Sequence, residues 1–492
     1  MASKCIFLLL LVLGPYLLAA QAYTHGTYVV PISLRFGGAL AAPAAPRAQT
    51  DNQRPLEDEQ QPQTTADEQP QPQPQPQRLP QRQPQGQSQG QPQRQPANVL
   101  GANEVHLPAA SNSPTRPPAK HSFKDRFSSK LFQPIASRSQ QQNIVYSPVS
   151  VHALLGMIYG ASEGRTSQEL QQAAEFSSDA QAVGQDFRQL IKQRRQLQNA
   201  ELTIVSQMFY NKNLGDVNRD YPEYAEYYYS SGIEPVDMGR ARDTAGWINA
   251  WVSDKTRNKI RELVKPGDID GQTEAMLVNA IYFKARWANE FSATDTSSGK
   301  FRRGTGAPRN VAMMFNDDVF GYADLPELGA TALEMQYADS EVSMLILLPN
   351  QVDGLAQLEQ QLARPQHDLN RIAARLRQET VTIRIPKFRI EFEQDMTEPL
   401  QQLGIREMFS RSSQVTKMLN RPVRVTKILQ KAFIDVNEAG SEAAAASYAK
   451  FVPLSLPVKS REFNADHPFV FALRTPDSVL FIGHVLQPTA MA

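Results

Sequence analysis

The chain has 492 residues, with 51 Lys or Arg against 50 Asp or Glu, for a formal net charge of +1. That balance leaves no charge excess to call for nucleic acid or an anionic membrane as partner. The length allows two or three ordinary domains or one large domain with tails, and an apolar content of 41% is ample for a sizeable core.

The N-terminus comes first. Lys4 gives a basic start, an apolar run extends from Ile6 to Ala20, and Ala20-Gln21-Ala22 offers small residues for cleavage before Tyr23. This is the pattern of a secretory signal over residues 1–22. The run is too short to span a bilayer comfortably and no later stretch is long and apolar enough, so a secreted, extracellular protein is expected. The single cysteine, Cys5, falls inside the signal. The mature chain is therefore expected to carry neither thiol nor disulfide, which excludes zinc sites built on cysteine. No Asn-X-Ser/Thr acceptor for N-linked glycan occurs. Nothing in the sequence calls for a metal or a small-molecule cofactor, so none is expected.

Residues 23–120 read as an extension ahead of the folded domain. From about 48 to 97 it is dominated by Gln and Pro, as in Gln69-Pro70-Gln71-Pro72-Gln73-Pro74. Such a stretch cannot bury enough apolar surface to offset its ordering entropy, and an exposed, partly polyproline-II arm is expected. It suits two roles equally: a removable extension that a trypsin-like enzyme clips at Arg54, Arg78, Arg82 or Arg94, or a passive solubilising spacer.

Globular patterning starts near His121 and defines a domain over 121–492. Ser147-Pro148-Val149-Ser150 places a cap residue before a first-turn proline, and Val151, Leu154, Leu155 and Ile158 follow at helical spacing. Residues 201–210 predict a strand, and Ile248 to Val264 a helix with Trp251, Val252, Ile260 and Leu263 on its apolar side. Leu277 to Phe283 and Met344 to Leu348 are short apolar runs of the kind found in buried strands. Val381 to Ile385 alternates before Pro386, and Val479 to Val485 predicts a closing strand. Strands and helices are interspersed without strict alternation, which indicates an α+β fold.

The chemistry lies in residues 438–455. Helix propensity alone makes the alanine run a helix. Period two gives another reading. Ser441, Ala443, Ala445, Ser447, Ala449 and Phe451 are all small or apolar, whereas Glu442, Ala444, Ala446, Tyr448, Lys450 and Val452 hold every charge. As a strand, the first set can enter a packed interior while the second faces water.

Glu438-Ala439-Gly440-Ser441-Glu442-Ala443-Ala444-Ala445-Ala446-Ser447 resembles the hinge of the reactive loop in inhibitory serpins. Phe463-Asn464-Ala465-Asp466-His467-Pro468-Phe469-Val470-Phe471 is similar to the family signature downstream of that loop. Asn143 to Ser150, Leu277 to Lys284 with Trp287, and Ile385-Pro386-Lys387-Phe388 resemble further family segments, in the family's order, from about His121 to Pro488. The resemblance implies the serpin fold: three β-sheets, a surrounding set of helices and an exposed reactive loop near the C-terminus.

It further implies a suicide-substrate mechanism. A serine protease acylates itself on the loop, the cleaved loop inserts as a new strand of the main sheet, and the tethered enzyme is distorted. The partner is then an extracellular serine protease held in a covalent complex, and the inhibitor, itself no enzyme, is expected to act as a monomer. Aligned on Glu438 and Gly440, the scissile bond is Leu454–Ser455. An apolar Leu454 suits a chymotrypsin- or elastase-like slot, with Pro453, Val452 and Phe451 extending the recognised segment. Ser441 is the first residue to insert and Gly440 the pivot. Glu438, Lys387 and Trp287 correspond to the breach at the top of the main sheet. Ser147, Ser150 and Asn279 correspond to the shutter where the sheet must part. The chain departs from the family at Gln430, where a histidine is frequent. Gln donates and accepts hydrogen bonds but does not titrate.

Two other patterns compete. Gly160-Ala161-Ser162-Glu163-Gly164 fits the G-x-S-x-G elbow of a hydrolase, with His367, His467 and His484 as conceivable bases, but the elbow needs a strand before the serine and the preceding spacing is helical. The plainer reading is a helix end at Gly160, with Thr166 to Glu169 opening the next helix as a partial capping box. Arg188, Lys192, Arg194 and Arg195 form a basic stretch that is either a solvated helix face or a site for sulfated polysaccharide. A non-inhibitory serpin, acting as carrier, chaperone or storage protein, is the alternative that the fold leaves open.

Overall fold

The computed structural model describes residues 123–195, 200–304, 306–441 and 460–490. The signal, the Gln/Pro-rich extension and the loop residues 442–459, which include Ala443, Ala445, Ser447, Phe451, Val452, Pro453, Leu454 and Ser455, lie outside these.

The strands among the described residues are β1 (Ile144–Tyr146), β2 (Ala200–Asn211), β3 (Gly232–Val236), β4 (Ala275–Arg286), β5 (Ser297–Phe301), β6 (Arg309–Leu325), β7 (Ala330–Gln336) and β8 (Ser343–Pro349). They continue with β9 (Arg377–Pro386), β10 (Phe388–Asp395), β11 (Val425–Asn437), β12 (Gly440–Ser441), β13 (Arg461–Asn464), β14 (Phe469–Thr475) and β15 (Ser478–Val485). One six-stranded sheet runs β10-β11-β12-β4-β2-β3, and a nine-stranded sheet runs β1-β15-β14-β8-β7-β6-β9-β13, with β5 on β6. The expected three sheets therefore form two hydrogen-bonded sheets. The reason is β6, which pairs with β9 over Met313–Tyr322 and then with β7 over Gly321–Leu325, joining two halves into one ladder. Helices and sheets, interspersed without strict alternation, make the α+β architecture expected.

The continuous apolar run in β4 follows from burial on both faces. Leu277, Ile281, Phe283 and Ala285 belong to the main core, together with Leu154, Leu155, Phe471 and Phe481. Met276, Val278, Ala280 and Tyr282 point the other way, into a second apolar layer with Ile248, Val252, Ile260 and Leu263. That layer lies under the helix Ala241–Lys255 and the segment after it.

The structure corrects two local expectations. The helix predicted from Ile248 to Val264 spans Ala241–Lys255 instead. Thr256 Oγ1 turns back to Val252 O, and Arg257 and Asn258 adopt left-handed φ of 51° and 62°, which stops the helix. Ile260, Leu263 and Val264 still face the sheet, but from an irregular segment, so periodicity found the right side chains and the wrong backbone. The helix after Gly160 begins at Gly164, not with a capping box at Thr166, whose hydroxyl accepts from Gln414 N–H at 2.9 Å. At Ser147 the expected cap is present: its Oγ accepts from Ser150 N–H, and Pro148 is the first helical residue of Pro148–Gly160.

Candidate functional site

The site is the seam between β4 and β11. These strands pair in parallel as far as Phe433 opposite Tyr282. Above that point β12 lies between them. Ser441 pairs with Val436 on one side and Ala285 on the other, and Gly440 with Asn437 and Arg286. Gly440 and Ser441, expected from the sequence to belong to the hinge, thus occupy the mouth of a gap at the top of the sheet. Gly440 is required there: its φ is +147°, and a Cβ would stand 2.1 Å from Ala285 O. Ser441 is fully buried on the main-core side, with its Oγ 2.7 Å from the Tyr337 hydroxyl.

Around the mouth, Trp287, Lys387 and Glu438 come together. Trp287 N–H donates to Ala439 O at 3.0 Å, its indole N–H donates to Asn437 O at 3.0 Å, and Phe291 N–H donates to Glu438 O at 2.9 Å. Lys387 Nζ reaches Glu438 Oε2 at 2.8 Å, and Thr296 Oγ1 donates to Glu438 Oε1 at 2.9 Å. Burial alone would raise the Glu438 carboxyl. The Lys387 ammonium, a backbone N–H and the Thr296 hydroxyl outweigh it and hold the group below the usual carboxylate range.

Lower on the same seam, Gln430 of β11 sits opposite Asn279 of β4, which sits opposite Ser206 of β2. Gln430 Oε1 accepts from Ser147 N–H at 2.8 Å, while its Nε2 donates to Ser147 O at 3.1 Å and to Asn279 Oδ1 at 2.7 Å. Asn279 Nδ2 continues to Ser206 Oγ at 2.9 Å and Val205 O at 3.2 Å. Ser150 Oγ lies 2.9 Å from Ser147 Oγ. Three strands and one helix cap are thereby joined at one level. Gln430 makes three bonds through its amide, where a neutral imidazole has one donor and one acceptor.

Ser162 follows a helix, not a strand, and its Oγ donates to Ile158 O at 2.7 Å as part of that helix's end. His367 bonds Gln361 O, His467 bonds Asp466 and Pro349 O, and His484 bonds Glu359 and Gln142 O. The elbow geometry of a hydrolase is absent. Arg188 lies on the helix Ala180–Arg195, with its guanidinium 3.9 Å over the Tyr227 ring, and Lys192 is exposed on the same helix. The side chains of Arg194 and Arg195 lie outside the described residues. Tyr337 was not singled out by sequence. It stands just past β7 in no motif, and only its contacts reveal it.

The central seam of the six-stranded sheet thus holds the two-residue strand β12 between the upper ends of β4 and β11. The family model for serpins (serine protease inhibitors) matches residues 123–488. Alaserpin of Manduca sexta is 36% identical over 368 residues, covering 74% of this chain and 93% of that one. The crystal structure of Serpin48 from Tenebrio molitor superposes with a TM-score of 0.68 at 27% identity, covering 75% of this chain and 97% of that one. Thyroxine-binding globulin in complex with thyroxine superposes at 0.67 with 25% identity, over 75% of this chain and 99% of that one. The chain belongs to the serpin family. Serpins are non-catalytic protease inhibitors as a class, so the chain is not an enzyme, and they generally form covalent complexes with serine proteases.

Proposed function

We propose that the chain is a secreted suicide-substrate inhibitor of chymotrypsin- or elastase-like serine proteases. The protease serine adds to the carbonyl carbon of Leu454, the Leu454–Ser455 bond breaks, and the new amine of Ser455 departs with the proton. Leu454 remains joined to the enzyme as an ester. Phe451, Val452 and Pro453 extend the contact on the acyl side. Residues from Glu442 onward then follow Ser441 between β4 and β11, with Ala443, Ala445 and Ser447 on the core face and the charged set outward. The observation that supports this reading is Gly440–Ser441 seated between those strands, with an apolar bond following at the right distance in sequence.

The fold is also that of a hormone carrier, thyroxine-binding globulin, so fold by itself does not select inhibition. The small hydroxyl of Ser441 and the alanine-rich segment behind it favour insertion, since a charged side chain there would have to be desolvated. In plan, with a Gln-rich extension and a Leu-Ser reactive bond, the chain is similar to the insect serpin Necrotic. By that similarity it would restrain an extracellular protease cascade upstream of Toll-type immune signalling or melanisation. Lys192 and the stretch around it would supply any contact with sulfated polysaccharide, which elution from heparin at rising salt would reveal.

Mixing the protein with chymotrypsin, elastase and trypsin and resolving the products on denaturing gels tests the reading. A stable complex with the first two and a cut at Leu454–Ser455 is expected. Cleavage there without a complex would overturn inhibition and favour a carrier role.

A further inference from the structure

Tyr337 is held on every side. Its ring lies 4.3 Å from the Trp287 ring, nearly parallel at 17°, and Phe283 meets it edge-on at 5.0 Å. Its N–H donates to Val342 O, and its backbone forms a bridge with Trp287. The ring therefore has one orientation, and in it the hydroxyl points into the gap between β4 and β11. Burial raises this phenol well above its ordinary pKa, so it is always neutral and always carries its proton.

The partner it meets in the gap is Ser441. Tyr337 is 1% exposed and Ser441 0%, so neither hydroxyl has water as an alternative. A buried hydroxyl left without a partner costs more than a made hydrogen bond contributes. The 2.7 Å contact thus stabilises one arrangement, with Ser441 in line between Val436 and Ala285.

We propose that Tyr337 is the positioning residue that seats the hinge, fixing Ser441 as the registered first residue of the inserting strand. This rests on the trapping reading above and names what sets its starting register. Because strand side chains alternate between faces, seating Ser441 toward the core commits residues 443, 445 and 447 to the core and residues 442, 444 and 446 to the other face. A slip by one residue would turn Glu442 inward. The seat also explains the residue type at 441: the phenol needs a hydroxyl beside it, and the space admits only a small one.

The test follows amide hydrogen exchange over residues 438–441 in the full chain, in Tyr337→Phe, in Ser441→Ala and in the double variant. Each single change is expected to raise hinge exchange about fivefold, what one hydrogen bond of ordinary worth supplies. The double variant is expected to add nothing further, because both changes remove one contact. Exchange over residues 277–282 should stay as in the parent. Unchanged hinge exchange in the single variants, or effects that multiply in the double variant, would overturn the proposal. Ser441→Ala decides the matter by itself if Tyr337→Phe does not fold. The same proteins mixed with chymotrypsin should shift from covalent complex toward free cleaved product in both single variants. If the parent itself yields only cleaved product, the trapping reading fails, while the exchange result still decides the seat.

Discussion

Gln430 and Asn279 face each other across the β4–β11 seam, and a 2.7 Å hydrogen bond from Gln430 Nε2 to Asn279 Oδ1 is the direct side-chain link between the two strands at that level. The remaining capacity of Gln430 goes to the backbone of Ser147, which ties the seam to the cap of the helix behind it.

Gln430→Ala should therefore open the seam. It strips partners from the buried Ser147 N–H and from Asn279 Oδ1, a loss of about 3 kcal/mol. Urea unfolding, together with native gels that follow the spontaneous appearance of loop-inserted or self-associated forms, would show it. Stability within 0.5 kcal/mol of the parent, a figure typical of surface changes (about the noise of such measurements), would mean the amide is not holding the sheet closed.

The Lys387–Glu438 pair predicts an acid sensitivity at the mouth. The folded Glu438 carboxyl is depressed, so its contribution is fully present above the unfolded carboxylate value of about 4.3 and is lost as pH falls through the folded value. Lys387 is 38% exposed, so solvent screening limits the effect to about 0.5–1 kcal/mol. Stability measured from pH 7 to pH 3 should converge for the parent and Lys387→Met at the acid end and separate above it. Parallel curves would show that the pair is not coupled to folding.

Gly440→Ala places a Cβ against Ala285 O in a backbone conformation that alanine avoids. The hinge should leave its slot. Expected results are faster cutting of the 438–442 segment by a glutamate-specific protease and, in the protease mixing assay, a product balance shifted toward cleaved inhibitor. Cutting after Glu438 no faster than in the parent would count against the clash.

Lys431 offers a separate handle on the seam. It is on β11, 8% exposed, and its Nζ reaches Glu391 at 2.8 Å and the carbonyl of Glu262 in the segment that follows the covering helix. Lys265 of that segment bonds Glu393 of β10 at 2.7 Å, and Arg257 at its start bonds Glu201 of β2. The segment is therefore tied to strands on both sides of the seam. Lys431→Met keeps the apolar stem and removes one tie. Amide exchange over residues 256–268 should rise severalfold with little change in global stability. No change in exchange would show that the segment is held by packing alone.

Sequence was most informative where one chemical requirement left one residue type. The apolar run Leu277–Phe283 announced a strand covered on both faces, and Ser147-Pro148 announced a helix start. It was least informative where a tertiary neighbour decides. The end of the helix Ala241–Lys255 depends on two non-glycine residues in left-handed conformation, Arg257 and Asn258, which no local pattern marks. The merging of two expected sheets depends on the pairing of β6 alone. At the site, Gly440 and Ser441 were singled out by resemblance to the serpin hinge, since the alanine run by itself reads equally as a helix. Tyr337 was not, since an isolated tyrosine after a strand is ordinarily core, and its role comes from a residue 104 positions away.

The parallel contact of β4 with β11 stops at Phe433 and Tyr282, and β12 takes up both free edges three residues further on, at Val436 and Ala285. On the proposed reading such a seam has a built-in direction of travel. It can lengthen the inserted segment only from its open end, one residue at a time, each step advancing the chain about 3.3 Å. With the proposed cut at Leu454, the stretch between Ser441 and Leu454 would set a stroke of roughly 40 Å at that rise per residue. Anything fastened at the far end would be drawn by that distance, and shortening the alanine run by two residues would shorten the haul by about 7 Å. In the proposed trapping reaction, bond cleavage would be coupled to displacement in the manner of a single-shot winch, whose reach is written in loop length.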